Sequence, residues 1–360
     1  MSKLDPVFSP PATKPNVSVM PVPNAWYVAC TSKELKRRPL KRVVLGIPVA
    51  LFRTKSGTAA ALIDRCPHRN VPLSLGKVKG ENLQCRYHGW EFDAEGTCRL
   101  VPGLCQDSDG KARRATAFPV CEQDGLVWIA MDPSSRPPTE PYRIGCLDMP
   151  GYTVVRQQLT FPGSLHATVE NALDVPHTAF LHSGLFRGTG KTNRIEAVVR
   201  RGTDRVEAEF FGEPSPRGLM GRLLAPKGGE LQHVDRFILP SIAQVEYRLG
   251  DRSHMLVTSF CTPVTDFCTR MFGVVCFRMP IPGWLIRPFV QPVAGRVLKQ
   301  DAEILGAQTE TVQRFGGEQF ASTEIDLLGG PIWRLLKEAA SDQLVEYSEP
   351  QELRRVTLEV

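Results

Sequence analysis

The sequence has no apolar run long enough to cross a membrane. Its most apolar stretch, residues 272–298, is interrupted by three arginines and four prolines, whereas a spanning helix needs about 20 mostly apolar residues. We therefore expect no transmembrane segment and interpret the stretch as a buried strand followed by a loop. Contact of residues 282–286 with a membrane surface is the alternative.

Signatures of nucleic-acid binding, nucleotide binding and secretion are also missing. The net charge is +6, and no run of Lys and Arg is long enough to indicate nucleic acid. No G-x-G-x-x-G or flavin motif occurs either. Residues 1–23 lack a secretory apolar core and are rich in Pro, Ser and Lys, which predicts a flexible tail on a cytoplasmic protein.

The composition is that of a folded protein, with 42% hydrophobic and 23% charged residues, and 360 residues can form two domains. The ten cysteines are scattered along the chain. Eight of them lie outside any ligand motif, and we predict that they are reduced, as is usual in the cytosol. These eight are Cys30, Cys98, Cys105, Cys121, Cys146, Cys261, Cys268 and Cys276.

Short strands and turn signals alternate between residues 24 and 135, which predicts a small all-β domain. A linker is predicted at 136–150. From 151 to 360, helical spacing near 164–183 and 290–316 flanks five predicted strands, so the second domain is α+β. Those strands are predicted at 193–201, 206–211, 244–248, 255–261 and 270–277.

Two short motifs, Cys66-Pro-His68 and Cys85-Arg-Tyr-His88, each supply one thiolate and one imidazole, with sixteen residues between them. Two such loops can hold a [2Fe–2S] cluster, with the cysteines on one iron and the histidines on the other, which raises the reduction potential. Structural zinc also binds Cys2His2, but in zinc sites one loop usually supplies both cysteines and the other both histidines. The mixed loops therefore favour the cluster and predict a protein that moves electrons.

A second group of potential ligands lies at residues 170–182. Asp174 and His177 share a helical face at i,i+3 spacing. His177 and His182 are five residues apart, so they can share a metal only if a bulge or a helix end lies between them. Two imidazoles and one carboxylate form the facial triad of Fe(II) oxygenases.

The residues Cys66-Pro-His-Arg69 and Cys85-Arg-Tyr-His-Gly-Trp90 resemble the Rieske domain of the Rieske non-heme iron oxygenases. Respiratory Rieske proteins carry a further cysteine in each loop, and neither loop here has one, which favours the oxygenase type. The segment from Asp174 to His182 resembles the D-x-x-H-x4-H motif of the same family.

The resemblance implies a role for each candidate residue. Cys66, His68, Cys85 and His88 would bind the cluster, and His177 and His182 would bind the mononuclear iron. The family's carboxylate ligand matches Asp301, seven residues before Gln308, with Glu303 as the alternative. Asp174 would be a bridge to His88 of a neighbouring subunit, and Asn171 and Glu170 would support the iron ligands.

The resemblance also implies an architecture and an activity. We expect a Rieske domain at 24–135, a helix-grip-like catalytic domain at 151–360 and a homotrimer in which electrons pass between subunits. A ferredoxin or flavin reductase would supply the electrons from NAD(P)H, steered by a basic rim of Arg65, Arg69, Lys77, Lys79 and Arg86, unless these are plain solvated charges.

The implied reaction uses O2 to hydroxylate or oxidatively demethylate a hydrophobic, ring-containing substrate, with residues 212–229 as a cap over its pocket. Two alternatives remain open: a cis-dihydroxylating aromatic dioxygenase, and a Rieske electron-transfer protein without oxygenase activity.

Overall fold

The computed structural model of the chain describes residues 22–105, 110–182, 194–213, 231–250 and 253–359. The predicted tail, apart from its last two residues, and the predicted cap from residue 214 onward lie outside these residues. The described chain forms two compact units. Unit 1 contains Pro23–Arg143, and unit 2 contains the described residues from Ile144 onward.

Unit 1 is all-β, which confirms the fold class predicted for the first domain. Its eleven strands form three antiparallel sheets, with the orders β1-β11-β10, β2-β3-β4-β9 and β5-β6-β7-β8. The strands are β1 (Trp26–Thr31), β2 (Leu40–Val44), β3 (Ile47–Arg53), β4 (Ala59–Ile63), β5 (Lys77–Lys79), β6 (Asn82–Gln84), β7 (Glu91–Phe92), β8 (Cys98–Leu100), β9 (Ala117–Phe118), β10 (Val120–Gln123) and β11 (Leu126–Ala130).

Local sequence explains these strands. All five residues of β11 are buried, as expected for an apolar run between turns. The β2–β3 hairpin turns at Leu45-Gly46, where both residues have positive φ, 48° and 76°. Two residues with positive φ form the tight turn that matches the twist of a hairpin.

Unit 2 is α+β, which confirms the second part of the predicted fold class. One antiparallel sheet of eight strands has the order β12-β18-β17-β16-β15-β14-β13-β19. Its strands are β12 (Thr153–Phe161), β13 (Arg194–Arg201), β14 (Arg205–Phe211), β15 (Leu231–Ile238), β16 (Ile242–Leu249), β17 (Ser253–Thr265), β18 (Cys268–Arg278) and β19 (Gln351–Glu359). The helices are α1 (Leu165–Leu173), α2 (His177–Leu181), α3 (Gly283–Arg314) and α4 (Gly329–Ala340).

The interpretation of residues 272–298 was wrong in its second half. Strand β18 ends at Arg278, but a helix, not a loop, begins at Gly283 and continues through Pro288 and Pro292. Ile286 and Val290 each lie two residues before one of these prolines and pack into a core cluster with sheet residues such as Val155. This packing stabilises a helix that the prolines alone would disfavour. Among the described helices, none combines the length and the hydropathy that a membrane span requires.

The prediction that all eight non-motif cysteines are reduced was also wrong for two of them. Cys146 and Cys276 form a disulfide in unit 2, across a sequence separation of 130 residues. Cys146 lies in a short 3-10 helix at Gly145–Asp148, and Cys276 lies in β18. A pairing over this distance depends on how the helix packs against the sheet, which cysteine spacing does not reveal.

Candidate metal centres

The first cysteine loop of unit 1 is closed by its own backbone. The amide of Cys66 donates to the carbonyl of Val71 (2.9 Å), and the amide of Asn70 donates back to the carbonyl of Cys66 (2.9 Å). Asp64, two residues earlier, accepts hydrogen bonds from both the amide and the hydroxyl of Ser74 (2.7 Å each). The loop therefore holds Cys66 and His68 in one fixed turn.

The second loop has the same construction. The amide of Cys85 donates to the carbonyl of Trp90 (2.7 Å), and Gly89 donates to the carbonyl of Cys85 (3.2 Å). Gly89 has a φ of 71°, a conformation that glycine adopts without strain. His88, one residue before it, is exposed. The turn therefore presents His88 at the surface while Cys85 stays buried.

The two loops bring their imidazoles together. The rings of His68 and His88 lie edge to face with centroids 4.5 Å apart, and His68 stacks on Trp90 at 4.7 Å. The Nδ1 atom of His68 is buried and has no hydrogen-bond partner. Burial first of all, and the neighbouring Cys85 in addition, raise the pKa of the Cys66 thiol to about 11. Metal binding would release these thiol protons.

The spacing of these four side chains fits a cluster better than a zinc ion. Ligand atoms around tetrahedral zinc, bound at about 2.0–2.3 Å, lie roughly 3.3–3.8 Å apart. Within the part of the chain that the structure describes, only one group of three or more His, Cys, Asp or Glu side chains has all its ligand atoms within 4.8 Å, and it does not include these four. Two thiols, two imidazoles and the unpartnered Nδ1 of His68 fit a two-iron group.

The second candidate centre is built where α1 ends and α2 begins. The hydroxyl of Ser164 accepts from the amide of Ala167 (3.2 Å) and caps the start of α1. The helix stops before Asp174, and α2 starts at His177. Helix α2 ends at Leu181, so His182 lies just outside it as the C-terminal cap. This end of α2 allows His177 and His182 to face one point despite their five-residue spacing, and their ring centroids are 5.2 Å apart.

The group of ligand atoms within 4.8 Å consists of His177, His182 and Asp301. Asp301 lies on α3 and is buried. Its Oδ1 is 3.0 Å from Nε2 of His182 and 3.6 Å from Nε2 of His177. Bonds of about 2.1 Å at right angles separate neighbouring ligand atoms by about 3 Å. The structure therefore brings two imidazoles and one carboxylate to the spacing of metal ligands.

Each histidine is oriented by a hydrogen bond from its other ring nitrogen. Nδ1 of His177 donates to Oδ2 of Asp174 (3.1 Å), which also accepts from the His177 amide (3.0 Å). Nδ1 of His182 donates to Oε1 of Gln300 (3.0 Å). Carboxylate and amide oxygens only accept, so both Nδ1 atoms carry the proton and both Nε2 atoms face Asp301.

The electrostatics of this group are those of a metal site. Burial lowers the pKa of His177, but the hydrogen bond to Asp174 and the negative charges of Asp174 and Asp301 outweigh it and raise that pKa to about 9. Burial raises the pKa of Asp301, and the two histidines more than reverse this. Nε2 of His177 and Oδ1 of Asp301 are buried without a hydrogen-bond partner. A divalent cation bound there would satisfy both atoms, so the residues fit the implied iron.

The other predicted site residues lie outside this group. The Glu303 side chain is 67% exposed and lies 3.9 Å from Lys299. Asn171 is half-buried, and its backbone carbonyl accepts from the amide of Asp174 (3.4 Å). Glu170 lies 3.9 Å from His166, and burial raises its pKa. Sequence reasoning missed Gln300, although its position beside Asp301 could have indicated it.

A cavity of about 800 Å³ in unit 2 borders the second centre. It is lined by residues of α1, α2 and α3 and by residues 319–329. Its wall includes His177 and three carboxylates, Glu170, Asp174 and Asp326. We refer to it as the acidic groove.

Two families match this chain. Residues 25–119 match the Rieske [2Fe-2S] domain, and residues 163–342 match the vanillate O-demethylase oxygenase C-terminal domain. The first match contains all four cluster candidates, and the second contains Asp174, His177, His182 and Asp301. The chain thus carries a Rieske [2Fe–2S] domain followed by an oxygenase-type catalytic domain.

Similar proteins have the same organisation. The oxygenase component of dicamba O-demethylase from Stenotrophomonas maltophilia is 38% identical over 192 residues, covering 52% of this chain and 55% of that protein. The 4beta-methylsterol monooxygenase of Methylococcus capsulatus is 37% identical over 293 residues, covering 74% of this chain and 73% of that protein.

A crystal structure of dicamba monooxygenase bound to 3,6-dichlorosalicylic acid has a TM-score of 0.78 at 26% identity, covering 91% of this chain and 99% of that one. The chain spans about half the length of the first curated relatives it matches. With both domains matched in order, the chain belongs to the Rieske non-heme iron oxygenases.

Proposed function

We propose that this protein is the terminal oxygenase component of a multicomponent system. It would use O2 and electrons received through its Rieske cluster to hydroxylate or oxidatively demethylate a hydrophobic, ring-containing substrate. The observation that carries the proposal is the convergence of His177, His182 and Asp301 in a chain that also carries two Cys-His loops. A pure electron carrier has no use for the second centre, so this convergence argues against that alternative.

Each site residue has a proposed task. Cys66, His68, Cys85 and His88 would hold the cluster, and the pair of histidines with Asp301 would hold iron on one face. Bound there, the two groups would supply one-electron transfer and O2 activation. Asp174 and Gln300 keep the histidine protons on Nδ1, so that both Nε2 atoms stay available to the metal.

The substrate class is proposed from the relatives. Their names include a demethylase of an aromatic acid and a monooxygenase of a methylsterol, and both substrates are ring-containing. We favour monohydroxylation or demethylation, and cis-dihydroxylation of an aromatic ring is the alternative. Electrons would come from NAD(P)H through a ferredoxin or flavin reductase, and this dependence supports a cytoplasmic location.

Electron transfer between subunits of a homotrimer is the third part of the proposal. The basic rim around the cluster loops and the acidic groove beside His177 have opposite charge, so the rim of one copy can dock in the groove of the next. His88 is exposed at the tip of its loop, and Asp174 lines the groove. This arrangement would bring His88 of one subunit close to Asp174 of its neighbour.

Metal analysis and O2 uptake test the catalytic proposal. The holoenzyme should contain three irons per chain, two in the cluster and one at the second centre. His177→Ala should lose one iron and substrate-dependent O2 uptake but keep the visible spectrum of the cluster. O2 uptake and products would be measured against steroids, methoxy-aromatics and alkaloids, with a generic ferredoxin and its reductase. Loss of the cluster spectrum in His177→Ala would overturn the assignment of the two centres.

Mixed trimers test the path between subunits. Cys85→Ser and His177→Ala each remove one centre, so each variant should be inactive alone. If electrons cross between subunits, trimers assembled from both variants should regain part of the wild-type activity. If electrons pass within one chain, mixed trimers remain inactive, because no chain then holds both centres. Sedimentation of the holoenzyme as a monomer would exclude the trimer directly.

A further inference from the structure

The beginning of α3 exposes large apolar side chains while its opposite side is anchored. Ile286 and Val290 are 2% and 7% exposed and pack against the sheet. On the outer side, Trp284 is 73% and Phe289 is 63% exposed. We define the apolar patch by its four large exposed side chains, Ile281, Trp284, Leu285 and Phe289.

The patch residues that follow Ile281 lie on one face of the helix. At about 100° per residue, Trp284, Pro288, Leu285 and Phe289 fall within a sector of about 140°, and the anchored residues point the other way. Arg287 borders this sector and is exposed. The helix thus presents an apolar face with a cation at its edge.

The patch is held rigidly on unit 2. A Cβ on Gly283 would lie 1.6 Å from the hydroxyl oxygen of Thr153. The start of the helix therefore approaches β12 more closely than a residue with a side chain at position 283 would allow. About two turns further on, Gln157 Nε2 donates to the carbonyl of Gln291 (2.9 Å). These contacts fix the patch in place, so little conformational entropy is lost when it binds a surface.

Along the sequence, the charges next to the patch have one sign. Between Asp266 and Asp301 the sequence contains no acidic residue and five cations: Arg270, Arg278, Arg287, Arg296 and Lys299. Exposed Trp and Phe beside Arg and Lys are typical of helices that lie in a membrane interface, where aromatic rings enter the headgroup layer and cations face lipid phosphates. A second copy docked on the same patch would bring like charges together.

We propose that the apolar patch docks this protein on an anionic membrane surface, with Trp284 and Phe289 inserted and Arg287 facing the lipid phosphates. The proposal does not rest on the proposed oxygenase activity. It would place the protein where apolar ring compounds concentrate. The same helix reaches Gln300 and Asp301 on the order of 27 Å further along.

Vesicle binding by the holoenzyme tests the proposal. Flotation would compare vesicles of phosphatidylcholine alone with vesicles of phosphatidylcholine and phosphatidylglycerol in equal parts. The structure describes all five tryptophans, and of these only Trp284 is exposed. Its emission should therefore shift to shorter wavelength on binding. We expect binding to the anionic vesicles that weakens as salt is raised, because the cations contribute.

Two variants and a control complete the test. The double variant Trp284→Ala, Phe289→Ala should lose about tenfold or more of its vesicle binding, and Arg287→Glu should lose binding only to the anionic vesicles. Phe315→Ala removes an equally exposed ring (69%) just after the same helix and should bind as wild type does.

The proposal is overturned if wild type does not bind the anionic vesicles, or if the double variant binds them as tightly as wild type. It is also overturned if the double variant changes oligomeric state and leaves vesicle binding intact, because the patch would then be a subunit interface. If the double variant does not fold, the emission shift of Trp284 in the wild-type protein is the measurement that decides whether the patch inserts into the membrane.

Discussion

Replacing Gln300 by leucine tests how the second centre is held. Gln300 accepts the Nδ1 proton of His182 at 3.0 Å, and the His182 side chain is only 1% exposed. Without this acceptor, the proton can move to Nε2, the atom that faces Asp301. Loss of a residue that orients a metal-binding histidine typically weakens metal binding by about 10–100-fold, or about 1.4–2.7 kcal/mol. We expect Gln300→Leu to lower Fe(II) affinity by this amount.

The assay is competition for Fe(II) against a chelator of known affinity, with the cluster absorbance of the same sample as the internal reference. Gln300→Glu keeps an acceptor and should retain wild-type affinity or exceed it. Gln313→Leu makes the same change at an exposed position of the same helix and should have no effect. Wild-type affinity in Gln300→Leu, or an equal loss in Gln313→Leu, would refute the reasoning.

Three further predictions concern stability. Gly96→Ala should destabilise unit 1 by about 1–3 kcal/mol or more in chemical denaturation, because φ is 76° and the new Cβ would lie 1.9 Å from the carbonyl oxygen of Ala115. Asp235→Asn should cost about 3–5 kcal/mol, because it leaves the fully buried His233 without one of its carboxylate partners (2.9 Å). Burial raises the pKa of Glu318 from 4.5 to about 7. The native state therefore binds the extra proton, stability falls as pH rises from 4.5 to about 7, and Glu318→Gln should remove that fall in melting curves.

The first two of these predictions each have a matched control. Gly80 has a φ of 63°, and the Cβ that Gly80→Ala adds would have no heavy atom within 4 Å. This variant therefore reports the cost of the backbone strain alone. Glu122→Gln weakens a partly exposed pair with Arg53 and should cost only about 0–1 kcal/mol. Equal losses in the glycine pair or in the two ion-pair variants, or an unchanged pH profile in Glu318→Gln, would contradict the corresponding argument.

The features that could be predicted from sequence are local ones. A Cys-x-His or Cys-x-x-His loop is complete within a few residues, because its backbone hydrogen bonds close on the cysteine itself. The same holds for the helix end between His177 and His182, which the five-residue histidine spacing required if the two are to share a metal. Alternating and apolar runs predicted an all-β first domain and five of the eight strands described in unit 2, and so the α+β class. Strands β12, β15 and β19 and helix α4 were missed, although each has at least eight residues.

Only the tertiary structure decided which distant segments of the chain are in contact. In sequence, Asp301 was favoured over Glu303 only by the family resemblance, whereas the packing of α3 buries the first and exposes the second. The same packing brings Gln300 to His182 across 118 residues and turns Trp284 and Phe289 outward. Cys146 meets Cys276 because the short 3-10 helix at Gly145–Asp148 lies against β18. Sequence alone determined which ligands exist and in which loops they lie, because those turns are local. Which side chains meet depends on which helix face packs against the sheet, and that choice is made by the whole core.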